Sequence, residues 1–227
     1  MKLLASVLVV PLAVLAWQWW HDAATERELQ PVATAIAGRE VKVDCQTFWG
    51  ALIDPLPRHG EVLFDRNGIP EPRMFLTHDT CRRLADFSGD AHHTELDCLA
   101  QTTWGSDVPP FDDPCYAEAA PTIYALLTLA HEAYHTAGVM DESVTNCYAT
   151  QAMAYAAVSL GGDETEARRI AAAMATLLPF QGGQYRIVDC VAGAELDLWP
   201  ESPAFPTEEP LRVPHGKGGL RGLAAGA

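Results

Sequence analysis

The segment that most constrains the fold is PTIYALLTLAHEAYHTAG, residues 121–138, because it has the marks of a single helix. Pro121 suits a first helical turn, the residues after it are largely apolar, and Gly138 can take the left-handed conformation that ends a helix. Near the end of this helix, His131 and His135 are separated by about one turn, so both imidazoles project from one face and can reach one ion. The sequence therefore predicts a core helix that also carries part of a metal site.

The acidic residues around this helix supply the remaining parts of such a site. Glu132 sits beside the face that the histidines share, close to where an activated water would lie. Zinc in hydrolytic sites has three protein ligands, so a third is needed, and two neighbouring acids compete for the role. Glu142 begins a second predicted helix, residues 142–160, in which Asn146 can accept the ring N–H of a ligating histidine one turn later. Asp141 is better explained as the N-cap of that helix, and we favour Glu142 while leaving Asp141 open.

The pair of segments HEAYH and ESVTNCYA resembles the zincin metallopeptidases of the gluzincin type, and in particular the neutral zinc metallopeptidases. The second helix of that family carries a pattern of the form E-x-x-A-D-C-F-A. The resemblance implies Zn²⁺ as cofactor and a peptide or protein as substrate. It also implies His131, His135 and Glu142 as metal ligands, Glu132 as the catalytic acid and base, and Asn146 at the position of the family's aspartate.

A competing resemblance is to the metzincins. The residues from His131 to Asp141 also satisfy H-E-x-x-H-x-x-G-x-x-D, which would make Asp141 the third ligand. In metzincins a loop leading to a methionine turn follows the third ligand. Here the following residues predict a helix, so we prefer the gluzincin type.

Five further side chains are candidates for stabilising charge on a substrate: His92, His93, Tyr134, Tyr148 and Tyr185. The two histidines lie in a predicted loop, where exposure to solvent is the more common outcome. The tyrosines can polarise a carbonyl group or simply pack in the core. The sequence does not choose among them.

The rest of the chain predicts a small sheet and one more helix. EVKVDC, residues 40–45, alternates like a strand, and residues 60–77 predict two strands around an Asn67-Gly68 turn. We expect a long loop from Phe87 to Pro114. We also expect a third helix over residues 163–178, capped by Asp163. We expect an α+β zincin-like domain with a small antiparallel sheet over residues 29–199, and a disordered Pro- and Gly-rich tail over residues 200–227.

The N-terminus predicts attachment to a membrane. Residues 3–20, LLASVLVVPLAVLAWQWW, form an uncharged apolar run behind Lys2, about as long as a helix that spans a bilayer. The tryptophans at its far end favour the headgroup layer. We therefore expect residues 1–28 to be an uncleaved anchor with everything beyond it outside the cytoplasm, although a cleaved signal peptide is the alternative.

The cysteine content indicates the cellular compartment, and the net charge excludes one class of partner. All six cysteines follow the apolar run and predict up to three disulfides in an exported domain, with connectivity open. A net charge of -15 argues against nucleic acid as a partner. The sequence thus predicts an extracytoplasmic zinc-dependent peptidase. The alternative is a non-catalytic, disulfide-stabilised envelope protein that uses the same helix pair for structure or binding.

Overall fold

The computed structural model describes residues 2–53, 59–89, 93–102, 104, 110–202 and 204–207, and of residues 2–19 the backbone alone. Within these residues the architecture is α+β, with six α-helices and one three-stranded sheet. In chain order the elements are α1 Lys2–Ala37, β1 Lys42–Cys45, α2 Phe48–Ile53, β2 Gly60–Phe64, β3 Pro70–Leu76, α3 His78–Gly89, α4 Pro114–Thr136, α5 Glu142–Ser159 and α6 Glu164–Leu177.

Helix α4 is the centre of the molecule. It contacts α1, α3, α5, β2 and β3, and nearly every residue from Ala119 to Thr136 is buried. A helix that is apolar on all sides is stable only when other elements surround it, which is the position α4 takes. Any polar side chain on its C-terminal half therefore faces either a packed neighbour or a cleft.

The start of α4 lies seven residues before the predicted one. Asp113 caps the helix by accepting a hydrogen bond from the backbone N–H of Cys115 at 2.8 Å, and Pro114 takes the first-turn position expected for Pro121. The prediction that Pro121 starts the helix is wrong because both prolines suit a first turn and the aspartate cap selects the earlier one. The predicted end is confirmed, since Gly138 has φ +99° just past Thr136.

The sheet has the strand order β1-β3-β2 and is mixed. Strands β2 and β3 form the predicted antiparallel pair, with Gly68 at φ +73° in the turn between them. Strand β1 runs parallel to β3, so the expectation of an antiparallel sheet is wrong for this pair. Between β1 and β3 the chain passes through α2 and β2. Strand β1 therefore pairs with the edge of β3 that β2 does not occupy, and it runs in the same direction as β3. Strand β2 is left at the edge nearer His131 and His135 of α4.

The segment predicted as a long loop contains local structure. Helix α3 continues through Gly89, and two 3-10 turns cover Thr94–Ala100 and Pro110–Asp112. One of three disulfides fastens this segment to the start of α4, and the predicted use of all six cysteines is confirmed. The pairs are Cys45–Cys81, Cys98–Cys115 and Cys147–Cys190.

The two ends of the chain are described only in part. Helix α1 runs without a break through residue 28, and one face of it is buried from Thr25 to Ala37. Of the predicted anchor, residues 1–28, the side chains of residues 20–28 are described, and those of residues 1–19 lie outside the described part. Among the described residues, no helix has the length and hydropathy that crossing a bilayer requires. In the predicted tail, Thr207 is buried and accepts a hydrogen bond from Arg168 at 2.9 Å, while residues 208–227 lie outside the described part.

Candidate metal centre

The two histidines of α4 lie side by side in a buried setting. The His131 and His135 rings have centroids 4.5 Å apart, and both side chains are less than a tenth exposed. An oxygen atom contacts Nδ1 of each ring. Asn146 Oδ1 lies 2.8 Å from His131 Nδ1, and the carbonyl oxygen of Val139 lies 2.6 Å from His135 Nδ1. Their Nε2 atoms therefore face the same space.

The partners of Nδ1 determine which nitrogen of each ring carries the proton. Asn146 donates from Nδ2 to the carbonyl oxygen of Tyr185 at 2.9 Å, so its own oxygen is the atom turned toward His131. An amide oxygen and a backbone carbonyl oxygen can only accept, so Nδ1 is the protonated nitrogen in both rings. The Nε2 atoms then carry lone pairs, as metal ligation requires.

The end of α4 explains how Val139 comes to hold His135. The backbone N–H of Gly138 bonds the carbonyl of His135 at 2.9 Å, and that of Val139 bonds the carbonyl of Tyr134 at 3.1 Å. These two bonds form a Schellman motif, which turns the chain back over the last helical turn. The turn brings the carbonyl of Val139 under the ring of His135.

Glu142 completes a group of three. Its Oε2 atom lies 3.0 Å from Nε2 of His131 and 3.2 Å from Nε2 of His135. One ligand atom from each residue lies within 4.8 Å of the others, so the three side chains could hold a metal ion. Because both Nε2 atoms and the carboxylate oxygen are acceptors, the arrangement suits a cation at their common centre.

The electrostatic environment favours the protonation states that a metal needs. Burial lowers the pKa of His135, with the neighbouring His131 adding to the effect, so the neutral imidazole is favoured.

Asp141, the competing third ligand, has a different role in the structure. It is exposed and caps α5, because its Oδ1 accepts hydrogen bonds from the backbone N–H of Val144 at 2.9 Å and from the Ser143 hydroxyl at 2.7 Å. The bond from Val144 is the main reason that the pKa of Asp141 is lowered. Asp141 is therefore committed to the helix end, one residue before the side chain that joins the histidines.

A cleft of about 960 Å³ opens onto the three-residue group. Glu132 and Tyr185 line it, as does all of β2. The Tyr185 ring lies 6.1 Å from that of His131, and the Phe64 ring lies edge-on, 6.2 Å from that of His135. The cleft thus brings the predicted acid and base, one candidate tyrosine and an edge strand to the same place as the histidines.

Gly60 allows β2 to lie directly against Glu132. A Cβ atom at Gly60 would be 2.7 Å from Cγ of Glu132 and 2.9 Å from Cγ2 of Thr128. Sequence reasoning missed this residue. A glycine inside a strand often marks a close backbone approach, but Gly60 is the first residue of its strand, where glycine is equally typical of a boundary.

The remaining candidates lie away from the cleft. His93 is buried, stacked on Phe87 with ring centroids 4.0 Å apart and with Nε2 at 3.9 Å from Glu166, so it is neither an exposed loop residue nor part of the site. Tyr134 and Tyr148 pack against each other with ring centroids 5.6 Å apart and are not in the cleft lining. His92 lies outside the described residues.

Comparison with known proteins identifies no relative of this chain. No family model matches the sequence, and no match is found among curated proteins or among solved structures.

Proposed function

We propose that this chain is a zinc-dependent peptidase of the gluzincin type that cleaves peptides or proteins outside the cytoplasm. The observation that carries the proposal is the convergence of His131, His135 and Glu142 on one point beside Glu132 in a single open cleft. The Nδ1 contacts, which leave both Nε2 atoms as lone-pair donors, support the same reading.

Zinc is the metal that fits this donor set best. Two imidazole nitrogens and one carboxylate oxygen make up the protein ligands of hydrolytic zinc sites, which leave a further position open, whereas structural zinc sites use four protein ligands. Among the described residues, the group has three members and faces a cleft. When bound, zinc supplies Lewis-acid chemistry by lowering the pKa of water and polarising a carbonyl group.

Glu132 is the proton carrier of the proposed reaction. It lines the cleft next to the ligands without being one of them. Its carboxylate takes a proton from the attacking water as the water oxygen adds to the carbonyl carbon of the scissile bond. The same proton then passes to the amine as the carbon–nitrogen bond breaks, so Glu132 ends as it began.

The edge strand favours an extended peptide as the substrate. Strand β2 is at the edge of the sheet in the described part of the chain, and all five of its residues line the cleft. An exposed strand edge offers backbone N–H and C=O groups with which an extended peptide can pair. A peptide held in this way passes directly over Glu132 and the histidines.

Two further observations support a site outside the cytoplasm. Three disulfides are typical of an oxidising compartment. The apolar run at residues 3–20 supports attachment to the membrane through the N-terminus, or secretion if that segment is cleaved. The net charge of -15 argues against a nucleic-acid partner.

The test compares wild type with Glu132→Gln, both as the full chain loaded with zinc, against a diverse peptide library. We expect equal zinc content, cleavage by wild type, and a loss of cleavage by a factor of at least about 100 in the variant, because an amide cannot accept the proton. Glu118→Gln, an exposed position on the same helix, is the matched control and retains activity. A wild-type chain that binds zinc but cleaves no peptide would favour the non-catalytic envelope protein instead.

A further inference from the structure

A second cavity, of about 410 Å³, lies between α3 and α4 and adjoins the cleft of the proposed peptidase. His59 and Tyr124 line both spaces, so the two are neighbours along α4. Arg83 of α3 also lines the second cavity, and its Nε–H is buried without a hydrogen-bond partner. Among the described residues, no side chain forms an ion pair with Arg83.

An unpaired guanidinium in a partly buried cavity is energetically unfavourable. Moving a cation out of water costs free energy that an anion and its hydrogen bonds normally offset. The guanidinium is planar and presents its donors in a fork that matches a carboxylate. An orphaned donor of this kind therefore indicates a place where an anionic group can bind.

The charges nearby leave Arg83 available for such a group. Asp79 lines the same cavity but already pairs with Arg82, whose Nη2 lies 2.8 Å from its Oδ1. Among the described residues that line the two spaces, Arg83 is the one Lys or Arg side chain. The chain has a net charge of -15, so an anion that enters the cleft is attracted most strongly to Arg83.

We propose that the Arg83 cavity is a subsite for a carboxylate of the peptide substrate, either the C-terminal carboxylate or an Asp or Glu side chain. This assignment rests on the proposed function, because it makes the bound anion part of the substrate. Tyr124 precedes His131 by seven residues on α4, a rise of about 10 Å, and an extended peptide covers about 3.3 Å per residue. The carboxylate thus binds at least about three residues from the bond that is cleaved.

The experiment measures binding rather than cleavage, by calorimetry on the full-length, zinc-loaded Glu132→Gln chain. The probes are two pairs of acetylated alanine-based octapeptides. One pair has a C-terminal carboxylate or amide, and the other has a C-terminal amide and an internal Glu or Gln. We expect at least one pair to favour the carboxylate by about tenfold or more, as charge-assisted hydrogen bonds do. The pair that responds identifies the source of the carboxylate.

Substitution of Arg83 then tests the assignment. In the same background, Arg83→Met removes the preference and Arg83→Lys keeps part of it. Arg66→Met, at an exposed position outside both linings, is the matched control and leaves the preference in place. Thermal unfolding of the Arg83→Met chain at or above the wild-type temperature excludes misfolding, because the arginine loses no ion-pair partner among the described residues. Equal binding within both pairs, absence of binding, or a preference that survives Arg83→Met would overturn the subsite. If wild type cleaves peptides but binding shows no preference for the carboxylate, the subsite is refuted and the peptidase proposal stands. If binding shows the preference but wild type cleaves nothing, the peptidase proposal is refuted and Arg83 remains a carboxylate-binding site for peptides.

Discussion

At the scale of single residues, the geometry of the proposed metal site depends on atoms that are not among its proposed ligands. Asn146 and the carbonyl of Val139 each occupy one ring nitrogen of a histidine, and both accept rather than donate. This leaves the other ring nitrogen of His131 and His135 as a lone-pair donor directed at the same point. Asn146 has its own orientation set by Tyr185.

Replacing Asn146 tests the importance of this orientation. We expect Asn146→Ala to lower zinc affinity by about 10- to 100-fold, since the ring of His131 loses its hydrogen-bond partner. Asn146→Asp retains an acceptor for His131 and loses only the bond to Tyr185, so its affinity falls less. Competition with a chromophoric chelator gives both values. Unchanged affinity in the alanine variant would mean that packing alone orients His131.

Glu142 and Asp141 differ in role although they are adjacent. Glu142→Ala removes one of three converging ligand atoms, so we expect zinc content after dialysis to fall from about one per chain to near zero. Asp141→Ala removes a helix cap, costs about 1 kcal/mol of the free energy of unfolding, and leaves the zinc bound. Metal analysis together with urea unfolding distinguishes the two. The reverse pattern would support the metzincin-like ligand set.

At the scale of elements, the contact between β2 and α4 forms one wall of the cleft. Gly60→Ala inserts a methyl group 2.7 Å from Glu132 Cγ, so either the strand or the glutamate must move. We expect a loss of about 1–3 kcal/mol in the free energy of unfolding with zinc retained, and a fall in any peptidase activity. Gly89→Ala, where no atom lies within 4 Å of the new Cβ, is the control and leaves stability unchanged or slightly raised. Equal stability of the two variants would contradict the close approach.

The cap of α5 makes a pH-dependent contribution to stability. The folded pKa of Asp141 is below the ordinary value of 3.8, so the folded state favours the carboxylate. The cap is therefore fully stabilising above about pH 5 and is lost as the pH falls through the folded pKa. In metal-free protein, the stability difference between wild type and Asp141→Ala should shrink below pH 3.8. Asp141→Asn, which caps without titrating, should keep its advantage over the alanine variant at low pH.

At the scale of the whole molecule, the three disulfides of the described residues fasten different regions, and one of them lies next to the proposed metal site. Cys147–Cys190 spans 43 residues and ties α5 to the segment that carries Tyr185, the partner of Asn146. Removing both cysteines should cost about 4 kcal/mol of stability from loop entropy and should also weaken zinc binding. Removing Cys98 and Cys115, which are 17 residues apart, should cost about 3 kcal/mol and leave zinc affinity unchanged. Equal zinc affinity in the two double variants would show that Asn146 is held without this disulfide.

Local physical chemistry explains which features were predictable from the sequence. The four-residue spacing of His131 and His135, the glycine that ends α4 and the aspartate that caps α5 all act within one or two turns of backbone. For the same reason the turn at Asn67-Gly68 and the antiparallel β2–β3 pair were predicted correctly. The use of all six cysteines in disulfides followed from their even number in a chain with an export-like N-terminus.

The features decided only by the tertiary structure involve groups that are distant along the chain. The parallel pairing of β1 with β3 depended on the path of the chain through α2 and β2. Two contacts join separate elements: Glu142 of α5 meets the histidines of α4, and Gly60 of β2 lies against Glu132 of α4. The burial of Arg83 without a hydrogen-bond partner likewise depends on how α3 packs on α4. Sequence spacing determines which side chains share a helix face, but only the packing of one element on another determines what that face meets.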